Sequence, residues 1–233
     1  MKRRQSTLYC FSPPVMLATF CIEVGLAVWA LRRYRHTVLV KLVVAILVCL
    51  AFFQLAEYNI CENVFGLRGI TWARLGYVAI TALPPLGIHA LTLIAGKKVP
   101  WLLAGSYGAM VVFMLYFLFS TSGLTASTCG GNYVIFTTNP TTTSWYTLYY
   151  YGLEIVALLT AWRLGRTTSN HRKKQALYGL TAAYLVLIVP VVAVNIVNPE
   201  LIHAVPSIMC GFAVFLAGIM ALYVLPRSAD VRS

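Results

Sequence analysis

Seven long apolar stretches, separated by short polar breaks, fill this chain from Pro14 to Pro226. Each stretch has roughly the 20 residues that a helix needs to cross the hydrocarbon core of a bilayer. The stretches lie at about 13–31, 38–58, 71–95, 101–120, 144–165, 176–197 and 203–225. The pattern predicts an all-α membrane protein, a seven-transmembrane-helix bundle that forms a single domain over residues 1–233.

The composition agrees with this prediction. Hydrophobic residues make up 60% of the chain and charged residues 10%, whereas a soluble domain has about a quarter of its residues charged. We expect a multi-pass integral membrane protein, surrounded by the lipid bilayer. The net charge of +12 does not indicate nucleic acid binding, because the chain has no basic domain with interleaved aromatic residues.

The basic residues predict the orientation of the bundle. They cluster after the first, third, fifth and seventh stretches, at Arg32, Arg33, Arg35, Lys97, Lys98, Arg163, Arg166, Arg172, Lys173, Lys174, Arg227 and Arg232. The other breaks contain little positive charge, so the positive-inside rule places the N-terminus outside and the C-terminus in the cytoplasm. Lys2, Arg3 and Arg4 oppose this assignment and are outnumbered.

Three ionisable residues fall deep inside apolar stretches, where charge is costly and usually functional. Glu23 and Glu154 are predicted at similar depth near the bilayer midplane. If both face the interior, they could hold a proton, a cation or an amine; the alternative is two neutral acids hydrogen-bonded to nearby hydroxyls or carbonyls. His89 has no matching histidine at its depth, so we expect a packing residue and no haem or metal site.

Polar residues at the predicted outer ends of the helices suggest a ligand site. Glu57 and Arg74 lie at similar height, where they could form a salt bridge, or Arg74 could bind a ligand carboxylate. Below them, Pro84 and Pro85 remove two backbone donors and predict a kink that could act as a hinge.

An aromatic run opens the fifth stretch, at Trp145, Tyr146, Tyr149, Tyr150 and Tyr151. Such runs anchor helices at the membrane interface, but this one covers more than one helix face, so some rings must point inward. The predicted site has Glu57 and Arg74 as a polar gate, these tyrosines as walls and Glu154 as the floor. The remaining predicted contacts of a small apolar or amine ligand are Tyr77 and Asn195.

The six cysteines show no spacing typical of a metal or redox motif. Cys61 and Cys129 both fall on the predicted outer side, where a disulfide could join two loops. Cys21, Cys49 and Cys210 are expected to be small core residues. The loop at 121–143, with Gly130-Gly131 before an apolar run, predicts a short hairpin or lid.

The third stretch contains the motif that resembles a known family. It reads Thr71-Trp72-Ala73-Arg74-Leu75-Gly76-Tyr77-Val78-Ala79-Ile80, then Leu83-Pro84-Pro85-Leu86 and His89-Ala90-Leu91. Together with Arg172-Lys173-Lys174-Gln175-Ala176-Leu177 and Pro206-Ser207, it is similar to the seven-transmembrane N-terminal sensor region of bacterial membrane histidine kinases and related diguanylate cyclases. The resemblance implies a bundle that senses an external or membrane-borne signal. After Pro226 the chain departs from the family, since no kinase or cyclase domain follows.

These observations predict a non-enzymatic sensor or ligand-binding module that signals through a partner chain. A covalent retinal is not expected, because residues 203–225 contain no lysine. The first alternative is a structural or accessory subunit of a membrane complex, which could present a small-residue face. That face would contain Gly211, Ala213, Ala217, Gly218 and Ala221. The second alternative is a small transporter, which the missing internal repeat disfavours. The ligand, any cofactor and the partner are not identified by the sequence.

Overall fold

The computed structural model describes residues 13–129, 134–197 and 203–229. The opposing charges at Lys2, Arg3 and Arg4, and the hairpin turn at Gly130 and Gly131, lie outside these residues.

Seven long helical segments make up the described fold, as the sequence predicted. They are α1 (Pro13–Arg33), α2 (Val38–Glu62), α3 with α4 (Gly69–Thr81 and Leu83–Ala95), α5 (Pro100–Phe119), α6 (Pro140–Thr167), α7 (His171–Val197) and α8 (Val205–Gly218) with its continuation. Six of them, within the described residues, are long and apolar enough to cross a membrane. The exception is α6, because it begins with threonines and tyrosines and ends with arginines. The chain is therefore an all-α, multi-pass membrane protein by the length and composition of its helices.

The third predicted helix is broken, and the break lies beside the two prolines. α3 ends at Thr81 and α4 begins at Leu83, because Pro84 and Pro85 have no N–H groups to donate to the preceding turn. The Tyr149 hydroxyl instead donates to the Thr81 carbonyl at 2.7 Å. The helix is thus interrupted at the predicted place, whereas its role as a hinge stays a prediction.

The small residues of α8 pack inside the bundle. Ala213, Ala217 and Ala221 are all at most 1% exposed. After α8 the helix widens into a π-helical segment, Ile219–Val224, and ends as α9, Leu225–Ser228. The predicted small-residue face toward a partner is therefore not available at these three alanines.

A two-stranded antiparallel hairpin covers one end of the bundle. β1 (Leu124–Cys129) pairs with β2 (Val134–Thr138), and Ser127 is aligned with Phe136. Two attachments hold it down: a Cys61–Cys129 disulfide to the end of α2, and the Val134 N–H, which donates to the Ser207 hydroxyl of α8 at 3.1 Å. The predicted hairpin and disulfide are both present. We call this the hairpin end.

The opposite end of the bundle contains basic side chains with defined partners. The Lys173 ammonium of α7 donates to the Ala95 carbonyl at the end of α4. The Arg227 Nε donates to Gln175 at 3.1 Å, and the guanidinium lies 3.6 Å from the centre of the Tyr223 ring. These contacts join α4, α7 and α9. We call this the basic end.

Gly179 allows α7 to approach the π-helical segment, and we expect Gly179→Ala to destabilise the protein by about 1–3 kcal/mol through overpacking. A Cβ at this position would lie 2.6 Å from Tyr223 Cδ1 and 3.1 Å from Val224 Cγ2. Tyr223 is held by Arg227, and Val224 is fully buried. Thermal unfolding in lipid nanodiscs measures the effect.

Gly152→Ala is the matched control, because a Cβ on Gly152 would meet no atom within 4 Å. A helical glycine replaced by alanine in open space should gain about 0.5–1 kcal/mol. Equal unfolding temperatures for the two variants would contradict the proposed close contact at Gly179.

Candidate functional site

A cavity of about 330 Å³ lies within the bundle at its hairpin end. We call it the aromatic cavity. Its walls come from helices α2 to α8 and from the hairpin, and include Tyr77, Phe136, Tyr146, Tyr150, Asn195 and Met209. This volume is at the lower end of the range found for small-molecule sites, which are also mainly apolar with a few placed polar groups.

The aromatic rings around the cavity pack against one another. Tyr77 of α3 lies at the centre of this group of rings. The centroid of its ring lies 4.7 Å from that of Phe117, 5.3 Å from that of Phe136 and 5.7 Å from that of Tyr146. Phe117 and Tyr146 form an edge-to-face pair at 5.0 Å. Such pairs contribute about 0.5–1.5 kcal/mol each beyond burial, so the wall of the cavity is preformed and ordered.

Several polar groups in or near this wall are already engaged within the protein. The Tyr146 hydroxyl lies 3.0 Å from the Thr81 hydroxyl, and the Tyr151 hydroxyl donates to Met209 Sδ at 3.2 Å. The Asn195 side-chain amide donates to the Val191 carbonyl at 2.8 Å. A ligand in the cavity therefore meets a mainly apolar, aromatic surface.

The inward tyrosines of α6 are confirmed. Tyr149 and Tyr150 are buried, whereas Trp145 is 63% exposed and Leu148 64% exposed. The aromatic run therefore has Trp145 on the surface, where an interface anchor is expected, and Tyr149 and Tyr150 in the core, where a cavity wall is expected.

The structure brings together part of the predicted site. Tyr77, Tyr150 and Asn195 line the aromatic cavity. Glu154 is 2% exposed and lines a smaller cavity next to the first. The tyrosines predicted as the walls of one site and Glu154 predicted as its floor therefore line two adjacent cavities rather than one.

Glu57 and Arg74 are not a gate to this cavity, and neither residue lines it. Among the described residues they form no salt bridge with each other: Glu57 Oε1 and Arg74 Nε have no partner, and Glu57 instead hydrogen-bonds Ser207 of α8. The predicted pairing was wrong because equal height on neighbouring helices does not fix the direction of each side chain. Glu57 points into the bundle and is 1% exposed.

Glu23 is completely buried, and both of its carboxyl oxygens lack a hydrogen-bond partner. The prediction that Glu23 is satisfied by neighbouring hydroxyls or carbonyls was therefore wrong. Its electrostatic neighbour is Cys210 of α8, which also interacts with Glu57. Glu23 lines neither of the two cavities.

His89 is the packing residue that the sequence suggested. Its Nδ1 lies 3.0 Å from the Tyr107 hydroxyl of α5, and the two rings meet edge to face at 5.9 Å. Of the free cysteines, Cys210 is buried as expected, but Cys21 is exposed and is therefore not a core residue.

Apolar residues of β2 and α8 that the sequence did not predict also line the cavity, among them Phe136, Met209 and Cys210. Val134 and Phe136 are buried, whereas Ile135 between them is 36% exposed. This alternation is the pattern of a strand with one face against a core, and it was visible in the sequence. No local signal indicated that Met209 and Cys210 of α8 would line the same space.

Neither the arrangement of possible metal ligands nor a comparison with known proteins indicates what the cavity binds. In the ranges 13–129, 134–197 and 203–229, no group of three or more His, Cys, Asp or Glu side chains is arranged to hold a metal ion. The chain matches none of the protein-family models and none of the curated proteins compared with it.

Proposed function

We propose that this protein is a non-enzymatic ligand-binding module of the membrane that acts as a sensor through a partner chain. The observation that supports this most is the aromatic cavity: a preformed, mainly apolar space of about 330 Å³ that is lined by side chains from helices α2 to α8 and from β2. A bound molecule would contact α3, α6, α7, α8 and β2 together. It could therefore change how these elements pack.

The break between α3 and α4 provides a route for such a change. Tyr77 and Ile80 of α3 and Leu83 of α4 all line the cavity, so a ligand contacts both sides of the break. α4 ends at the Ala95 carbonyl, which Lys173 of α7 binds at the basic end. In this proposal, ligand binding moves α4 and alters the basic end, where the partner binds.

Orientation and partner follow from the charges and from the family resemblance. With the basic end in the cytoplasm, the N-terminus and the hairpin end are outside, and the signal passes inward. The motif on α3 and α4 is similar to that of histidine kinase sensor regions, which favours a kinase, a cyclase or another cytoplasmic regulator as the partner in a bacterial inner membrane.

The test is to extract the tagged protein gently from its native membrane and to identify bound small molecules and proteins by mass spectrometry. We expect one small molecule at near-stoichiometric amount. Thr147 is an exposed residue that lines the cavity, so Thr147→Trp should fill the cavity and remove that molecule.

Leu148→Trp is the matched control, since Leu148 is the exposed neighbour that does not line the cavity. It should retain the molecule. Equal recovery from both variants, or no small molecule beyond bulk phospholipid in the unmodified protein, would contradict ligand binding. A co-purified cytoplasmic kinase, cyclase or regulator supports the sensor role specifically.

The second candidate function is a structural or accessory subunit of a membrane complex. The observation that favours it is the exposure of the side chains of α5. Of the 20 residues of α5, Ser106 and Phe117 are the buried ones. Trp101, Val112 and Phe119 are 74%, 65% and 76% exposed. Lipid tails would cover this face, but so would a neighbouring membrane subunit. Recovery of a fixed set of membrane subunits in the same extraction would favour this candidate.

A further inference from the structure

A second, smaller cavity of about 30 Å³ adjoins the aromatic cavity. We call it the acid pocket, and it is lined by Glu154 of α6, Tyr184 of α7, and Pro84 and Gly87 of α4, together with apolar side chains. Leu50, Leu83 and Leu187 line both cavities. The two spaces are therefore adjacent, with these three leucines between or beside them.

The acid pocket contains two polar atoms without a partner. Glu154 Oε2 and the Tyr184 hydroxyl make no hydrogen bond in the structure, although the residues are only 2% and 5% exposed. A buried polar group left unpaired costs about 1–3 kcal/mol. Two such groups facing one small space would both gain from a guest that donates hydrogen bonds.

Gly87 makes room for the Tyr184 hydroxyl. A Cβ on Gly87 would lie 2.3 Å from Tyr184 Oη, so any larger residue would displace the hydroxyl. The absence of a side chain at Gly87 of α4 therefore leaves space for the Tyr184 hydroxyl in the acid pocket, which Glu154 also lines.

The surroundings of the acid pocket favour a cationic guest. No lysine or arginine of the described ranges lines either cavity. Tyr184 lines the acid pocket together with Glu154, and Tyr150 and Tyr151 line the adjoining aromatic cavity. An ammonium donor gives the carboxylate a charge-assisted hydrogen bond, which is about twice as strong as a neutral one. Tyrosine rings also attract cations over their faces.

We propose that the two cavities bind one molecule, an apolar or aromatic body in the aromatic cavity with a primary ammonium group in the acid pocket, where Glu154 and Tyr184 accept its hydrogen bonds. This inference rests on the proposed ligand-binding function and narrows its ligand to a lipophilic primary amine. The pocket of about 30 Å³ has room for a terminal ammonium.

The experiment compares 4-phenylbutylamine with 4-phenylbutanol, which share one body and differ in the terminal group. Binding to the full chain is measured by titration calorimetry in nanodiscs of zwitterionic lipid, with empty nanodiscs subtracted to remove partitioning. We expect the amine to bind at least tenfold more tightly than the alcohol. Glu154→Gln should remove this preference by weakening the amine at least tenfold and leaving the alcohol unchanged.

Glu23→Gln is the matched control, because Glu23 is equally buried but lines neither cavity; it should keep the amine preference. Tyr184→Phe removes the second acceptor and should weaken the amine several-fold, which tests the site even if Glu154→Gln does not fold. Equal binding of amine and alcohol would overturn this inference and leave the proposed function standing. Failure of both probes to bind would count against the cavity as a ligand site, and so against both proposals.

Discussion

Replacing Phe136 by alanine is expected to destabilise the protein by about 3–5 kcal/mol, the usual cost of removing a buried aromatic ring. Phe136 is 1% exposed, and its ring contacts Phe53 at 5.9 Å and Tyr77 at 5.3 Å between centroids. It is a buried apolar contact between the hairpin and both α2 and α3. Thermal unfolding in nanodiscs should show a fall of roughly 6–20 °C.

Ile135→Ala controls for truncation of the strand itself. Ile135 is adjacent in β2, but its side chain is on the opposite face and 36% exposed, so we expect a loss below about 1 kcal/mol. If the two variants unfold together, the hairpin does not depend on Phe136 for its position. Because Phe136 also lines the aromatic cavity, its loss should in addition weaken the binding of 4-phenylbutanol.

Removal of the Cys61–Cys129 disulfide is the second large effect. The bond closes a loop with a sequence separation of 68 residues, and cross-links of this span contribute up to about 4 kcal/mol through the entropy of the unfolded chain. Helices that stay in the bilayer already limit the entropy of the unfolded chain. We therefore expect Cys61→Ser to lower the free energy of unfolding by about 2–4 kcal/mol. The hairpin should also become more sensitive to protease.

Cys21→Ser is the control, since Cys21 is free and exposed. It should leave both the unfolding temperature and the protease pattern unchanged. If Cys61→Ser behaves like Cys21→Ser, the hairpin is held by its apolar and hydrogen-bonded contacts alone, through Phe136 and the Val134–Ser207 bond.

Phe136→Ala and Cys61→Ser remove two different attachments of the hairpin. Phe136 acts in the folded state by filling space, whereas the disulfide acts mainly on the unfolded state. The first change should therefore alter the cavity and its ligands, and the second should alter stability with little change in the affinity of a bound molecule.

Several features of this protein could be predicted because they depend on residues near one another in sequence. The length and hydropathy of each helix, the break beside Pro84 and Pro85, and the hairpin after Ser120 are local properties. The Cys61–Cys129 pairing followed from placing both residues on one side of the bilayer, since alternate loops must lie on the same side.

Other features could not be predicted because they depend on the rotation of each helix about its own axis. Glu57 and Arg74 have the right height to pair, yet Glu57 hydrogen-bonds Ser207 and forms no salt bridge with Arg74. Apolar helices show little difference between their faces, and α7 has almost no amphipathic pattern at all. In such helices the sequence predicts how deep a side chain lies in the bilayer but not the direction in which it points.

The sequence by itself therefore determined that this is a helical membrane protein, how many long helices it has and the break beside Pro84 and Pro85. The tertiary structure decided which side chains meet: the aromatic rings around Tyr77, and Glu154 beside Tyr184 next to the same cavity. The physical reason is that membrane insertion depends on the summed transfer energy of a continuous segment, whereas a site depends on close packing between helices distant in sequence.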